Sequence, residues 1–208
     1  MSAEYPGALW IPSGHFGFGQ GATNQNTHKW IIVHGTAGFT RAEDVGVFFQ
    51  NNNPATSVHY VVGQDGTIVQ CVAESNAAWG NGVLSAGHDP WWSNLRNPNL
   101  DTISIEHVKP DPQNATPLTP AQEQASFKLI AYLCAKYSIP ARKADANGGI
   151  TGHYSVDPVN RSLCPNVYPW AALWASLGGN EMGVPTNWHD DGATLTAPNG
   201  HTVKLGFR

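Results

Sequence analysis

Residues 28–38 read HKWIIVHGTAG, and this stretch decides the fold. Trp30-Ile31-Ile32-Val33 is apolar and rich in β-branched side chains, which predicts a buried strand over residues 29–34. A buried helical segment this short would carry the same pattern. Gly35-Thr36-Ala37-Gly38 breaks the run. His34 therefore stands at the end of a core element, where the interior meets the surface. A lone histidine there is more often satisfied by a backbone hydrogen bond than used as a ligand, so its meaning depends on partners elsewhere in the chain.

Working outward, Thr40-Arg41-Ala42-Glu43 has the form of a capping box and predicts a short helix to about Gln50. Val58 to Val62, an Asp65-Gly66 turn and Thr67 to Val72 predict a hairpin. Residues 76–101 read as one long loop of Asn, Gly, Pro and Trp, a length that in compact domains often serves function. TISIEHV, residues 102–108, is a second buried-strand run. Thr119-Pro120-Ala121-Gln122 opens a helix that runs to about Tyr137, with Ile130, Leu133, Cys134 and Tyr137 on one face and Pro140 beyond its end. Residues 168–177 predict a last short helix. TLTAPNGHTVKLGF, residues 194–207, alternates about Asn199-Gly200 as a hairpin would, whereas His189-Asp190-Asp191 reads as a solvated turn.

These elements divide the 208 residues into an irregular N-terminal arm (1–27), a main domain (28–180) and a C-terminal appendage or start of a further module (181–208). The net charge of −4 and the absence of any Lys/Arg cluster argue against nucleic acid as a partner. No run of 18 apolar residues is present, so no membrane span is expected. The N-terminus lacks a basic region followed by an apolar core. It does not read as a secretory signal, which implies synthesis in the cytoplasm and action on any outer target only after release by another route. Three cysteines are too few and too odd for a disulfide framework. Cys71 and Cys134 fall in apolar patterns and read as buried thiols, while Cys164 lies in a polar, Pro-flanked loop.

His153 and Cys164 are the partners that His34 needs. Two histidines and one cysteine leave a fourth tetrahedral position open, the pattern of a catalytic rather than a closed zinc site. Zn²⁺ with one thiolate keeps a net positive charge, enough to polarise a carbonyl and acidify water. The spacing H-x₁₀-C is weak taken by itself, and each residue can also be read as a packed core or loop residue.

Several segments add context: IIVHGTAG (31–38), SVHYVVGQDGTIVQCV (57–72), AAWGNG (77–82), TISIEHV (102–108) and TGHYSVDPVNRSLCPN (151–166). Together and in this order they resemble the zinc-dependent N-acetylmuramoyl-L-alanine amidases of type 2, a family that includes amidase-type phage lysozymes and peptidoglycan recognition proteins. The resemblance spans about residues 28–180. It implies an α/β fold with a central mixed β-sheet flanked by helices. It also implies one Zn²⁺ held by His34, His153 and Cys164, and Glu106 as the general base that later protonates the leaving amine. Ser162 stands where relatives often carry Lys or Thr, so Ser162 or the adjacent Arg161 is the candidate for steadying the oxyanion. Thr36, His59, Trp79 and Asn81 are the candidate substrate contacts. The small residues after His34 are expected to let a substrate backbone approach the metal. The chain departs from some relatives at Val58, where they have Tyr, and at Gly80, where they have His. His15, His28, His88, His107, His189 and His201 match no family role and read as surface or loop residues.

The implied activity is hydrolysis of the amide between N-acetylmuramic acid and the L-alanine of the stem peptide, by a monomer acting on peptidoglycan or muropeptides. The lack of a signal sequence favours a phage or prophage endolysin. A cytosolic muropeptide-recycling amidase and a non-catalytic peptidoglycan-binding module are the rivals, and the presence of Cys164 weighs against the last.

Overall fold

A computed structural model describes residues 2–18, 26–51, 56–95 and 97–178, with the strand segments 189–190, 194–196 and 202–204. In chain order the strands are β1 (Leu9–Trp10), β2 (Phe16–Phe18), β3 (Trp30–Gly35), β4 (Tyr60–Val62), β5 (Ile68–Gln70), β6 (Asn76–Ala78), β7 (Thr102–His107), β8 (Gly149–Gly152), β9 (His189–Asp190), β10 (Thr194–Thr196) and β11 (Thr202–Lys204). The helices are α1 (Ala42–Asn51), α2 (Pro120–Tyr137), α3 (Pro158–Arg161) and α4 (Trp170–Ser176).

The apolar run around Ile31 forms the strand it predicts. β3 lies within a six-stranded mixed sheet of order β1-β5-β4-β7-β3-β8. Both of its neighbours run parallel to it, and every residue of β3 is buried. A strand covered on both faces needs apolar side chains on both, which is why the run does not alternate. Ile31 and Val33, with Ile103 and Ile105 of β7, pack beneath Leu129, Ile130 and Leu133 of α2. Trp30 and Ile32 on the opposite face meet Trp92 and Val156. On that same side α1 closes Val45 and Phe49 over Val61 and Val69.

The second helix starts as its sequence signals. Thr119 Oγ1 accepts the Gln122 amide at 3.1 Å, Pro120 takes the first turn, and Ser138 caps the end in the left-handed region at φ 56°. The first helix departs from its box: it begins at Ala42, and Glu43 pairs with Arg41 at 3.2 Å rather than reaching back to Thr40.

The N-terminal segment is not irregular throughout. β1 adds in parallel to β5, pairing Leu9 with Val69, and β2 pairs antiparallel with β6. The long loop at 76–101 likewise contains β6 and two 3₁₀ turns, Pro90–Asn94 and Pro98–Leu100. These strands span two or three residues, too short for a periodic pattern to register. His189 and Asp190 form a strand that pairs with β10, in place of the expected turn. β10 and β11 pair as the expected hairpin, while its Asn199-Gly200 turn lies outside the described residues. Among the described residues no helix is long and apolar enough to cross a membrane.

At the sheet edge away from β8, Glu74 is fully buried and accepts hydrogen bonds from Lys136 Nζ (2.6 Å), Tyr137 Oη and Tyr60 Oη. The Glu4 carboxylate accepts from the Glu74 amide and Gln70 Nε2, tying the N-terminus to the same knot. Burial alone would raise the Glu74 pKa, but the bonds from Lys136, Tyr137 and Tyr60 outweigh it and hold the carboxyl below its ordinary 4.5. A carboxyl lowered by folding stabilises the folded state above its unfolded value, and that contribution fades as pH falls through the folded pKa. Glu74→Gln is therefore expected to cost about 2 kcal/mol at pH 7 by denaturant unfolding. The gap to the unsubstituted protein should close as pH drops below about 4.

Candidate metal centre and active-site cleft

The strand ends bring the site together. β7, β3 and β8 run parallel, so their C-terminal ends lie side by side. His34 is the register partner of Glu106, and Gly152, which pairs with Val33, is followed directly by His153. Cys164 comes from the segment after α3. The ligand atoms of His34, His153 and Cys164 all lie within 4.8 Å of one another, and all three residues are buried. The two Nδ1 atoms are 3.0 Å apart, and Cys164 Sγ is 3.9 Å from His34 Nδ1. Gly152 permits this approach: a Cβ there would fall 2.7 Å from Pro165 Cδ and 2.4 Å from the Tyr154 ring.

Asn81 holds both histidines from behind. Its backbone carbonyl accepts His153 Nε2–H at 3.0 Å, and its side-chain Oδ1 accepts His34 Nε2–H at 3.1 Å. The amide is oriented by its Nδ2 donating to Thr102 Oγ1 at 2.8 Å. With both Nε2 atoms carrying hydrogen, both Nδ1 lone pairs point at one another. Burial lowers His153 to about 4, and burial with the neighbouring His153 pushes His34 well below its ordinary value, so neither ring takes a proton to relieve the clash at neutral pH. Two bare nitrogens and a thiol sulfur facing one point are donors arranged for a cation.

Glu106 stands beside them. Its Oε2 is buried with no hydrogen-bond partner. Burial raises its pKa to about 8, opposed by the charge of Arg161. Burial and the nearby Glu106 push the Cys164 thiol up to about 12, against the Gly35 amide, which donates to Sγ at 3.5 Å. A divalent cation would reverse both shifts by favouring the anions.

The centre opens into a cleft of about 530 Å³. One wall is apolar, from Phe39, Val45, Phe48 and Phe49, and the other is polar, from Gln113, Asn114, Asn160, Arg161 and Ser162. Arg161 and Ser162 are exposed at its rim, and Thr36 borders it with its hydroxyl bonded to the Lys109 amide at 2.9 Å.

Three expected substrate contacts do not line the cleft. Asn81 is fully buried behind the histidines, where it orients them. His59 is fully buried in the sheet, taking the Ser104 amide on Nδ1 and donating Nε2–H to Asn76 O. Trp79 is 41 % exposed but sits beside the cleft, against His15 and Gly17. His107, expected at the surface, is fully buried, with Nδ1 on His34 O and Nε2 on Ser126 Oγ. Alternation would have flagged His59 and His107 as inward only once both sheet faces were known to be covered.

A buried pair of neutral histidines with a thiol, open to the cleft and beside an unpaired carboxyl oxygen, is a donor set that could hold a metal ion. Residues 24–167 match the family model described as N-acetylmuramoyl-L-alanine amidase, and the chain belongs to that family. Its class is thus a hydrolase of the amide that joins N-acetylmuramic acid to L-alanine in peptidoglycan. The fold is shared with solved structures. A selenomethionine derivative of AmpD aligns with a TM-score of 0.66 at 22% identity, over 85% of this chain and 97% of that one. The endolysin amidase LysCS from Clostridium intestinale gives 0.56 at 20%, over 86% and 100%. PlyL gives 0.55 at 21%, over 75% and 87%. No curated protein sequence is significantly similar.

Asn81→Leu is expected to weaken divalent-cation affinity by about 10- to 100-fold. Competition against a chromophoric chelator reads this directly.

Proposed function

We propose that the chain is a zinc-dependent N-acetylmuramoyl-L-alanine amidase acting as a cell-lysis endolysin on peptidoglycan. The observation that carries this reading is the convergence of His34, His153 and Cys164 within 4.8 Å beside the unpartnered Glu106 carboxyl. Two nitrogens and one sulfur suit zinc, and three protein ligands leave room for substrate. His34, His153 and Cys164 would hold the zinc, which when bound would supply Lewis-acid charge in the cleft.

The residues of the chain do the rest. Glu106, next to His34 and without another partner, takes the proton from the attacking water as its oxygen bonds to the carbonyl carbon. The same carboxyl then gives that proton to the L-alanine nitrogen as the carbon–nitrogen bond breaks. Its burial makes it a ready donor, and positive charge nearby makes it a ready acceptor. Arg161 and Ser162, at the cleft rim, steady the negative charge that develops on the carbonyl oxygen. Thr36, Gly35 and Ala37 border the cleft where a substrate backbone lies. The apolar wall of Phe39 and Phe48 gives the cleft a dry side.

The endolysin role draws on neighbours titled as endolysin amidases. Digestion of purified insoluble peptidoglycan tests it. Free stem peptides beginning at L-alanine should appear by mass spectrometry, vanish on chelation and return with zinc. An intact wall with soluble muropeptides cleaved would move the assignment to a recycling amidase.

Two substitutions test the roles. Glu106→Gln should retain zinc and lower kcat by about 10²- to 10⁴-fold. Cys164→Ser should lose both zinc and cleavage; a protein that keeps full wall binding and never cleaves would be a binding module instead.

A further inference from the structure

Lys109 is the one fully buried lysine among the described residues, and no step of the proposed reaction uses it. It lies two residues past the end of β7. Its Nζ donates to the Asn114 carbonyl at 3.0 Å and to the Val167 carbonyl. Among the described residues no carboxylate lies within ion-pair distance. An ammonium removed from water without an anion is costly, so its surroundings must compensate. The carbonyl dipoles of Asn114 and Val167 do this.

The atoms bonded to Lys109 belong to the loops that enclose the metal centre. Val167 lies three residues past Cys164. Asn114, whose carbonyl the ammonium holds, uses its own side chain to accept the Ala37 amide at 2.9 Å and to donate to Leu163 O at 3.0 Å. Ala37 follows His34 by three residues, and Leu163 precedes Cys164 by one. The Lys109 backbone is stitched to the same turn, because Thr36 Oγ1 accepts its amide and the Gly38 amide donates to its carbonyl at 2.8 Å. Gly35 completes the fit. A Cβ there would lie 2.5 Å from Asn114 Oδ1 and 3.0 Å from Lys109 Cδ. The glycine after His34 thus makes room for this strut, not only for a substrate backbone as its position in the sequence suggests.

Resting on the metal-centre reading, we propose that Lys109 is a positioning residue for the metal centre: its buried ammonium ties the loop after β7 to the segment after Cys164. Holding the Val167 carbonyl fixes the segment that carries Cys164, so that Sγ stays close to His34 Nδ1. A neutral side chain of equal length would keep the packing and lose both carbonyl bonds.

Lys109→Met in the full chain tests this. Zinc affinity, by chelator competition, should fall by about 10-fold or more. In the cobalt-substituted protein the thiolate-to-cobalt charge-transfer band should weaken and shift. A lysine that only supports the fold would lower the melting temperature of the metal-free protein and leave affinity and band alone. Affinity within about twofold of the unsubstituted protein, with the same band, overturns the proposal. If the variant does not fold, ¹⁵N NMR of the lysine side chains in the unsubstituted protein decides. One exchange-protected ammonium signal should move on adding zinc, and the absence of any such signal overturns the proposal. An unsubstituted protein that takes up neither zinc nor cobalt overturns the metal-centre reading itself; uptake by both proteins alike removes only the role of Lys109.

Discussion

The register of β3 against β7 and β8 is the constraint on which the site depends. It sets His34 across from Glu106 and Val33 across from Gly152, so His34 and His153 leave adjacent parallel strands at neighbouring levels. Slipping either pairing by one residue would turn the histidine to the opposite face of the sheet. What fixes the register is apolar packing on the other side. Ile31 and Val33 with Ile103 and Ile105 fit beneath Leu129 and Leu133, and they fit only in phase. The hydrophobic core on one face thereby positions the polar groups on the other.

Those polar groups share a dry environment that presses each toward its neutral form. His34 and His153 are held unprotonated, Glu106 and Cys164 are held protonated, and Lys109 is lowered to about 8. The arrangement therefore rests on directed hydrogen bonds rather than on paired charges. Asn81 aims both imidazoles with one residue, one bond from its backbone and one from its side chain. His107 adds a bond to the His34 carbonyl and leads through Ser126 to Tyr168, which lies just past Cys164 in the chain. A cation would supply the charge that the site lacks.

A second polar knot, around Glu74, lies away from the cleft and is built on the opposite principle. There the charges are paired and the donors satisfied, and the result joins the N-terminal segment, β4 and α2. It gives the first residues of the chain a structural place at the sheet edge, next to β1. Glu74 and the half-buried Glu106 thus differ in state because one carboxylate has three donors while the buried Oε2 of the other has none.

The long elements, and the residues that could hold a metal ion, were legible along the chain. β3 and β7 carry continuous apolar runs, α2 carries its N-terminal cap and a proline beyond its end, and the family resemblance marked His34, His153, Cys164 and Glu106. These features are local, or sit on motifs short enough to read along the chain. Tertiary structure alone decided the rest, because it turns on contacts between residues far apart in sequence. β1 and β2 are too short to show a period and exist through pairing with β5 and β6. His59 and Asn81 look like cleft residues in their motifs, yet covering both sheet faces drew them inward. Lys109 gave no signal at all: a lysine beside Pro110 and Asp111 reads as a solvated loop. Its burial follows from Asn114 and Val167, carbonyls from two other loops that only the folded chain brings to its ammonium.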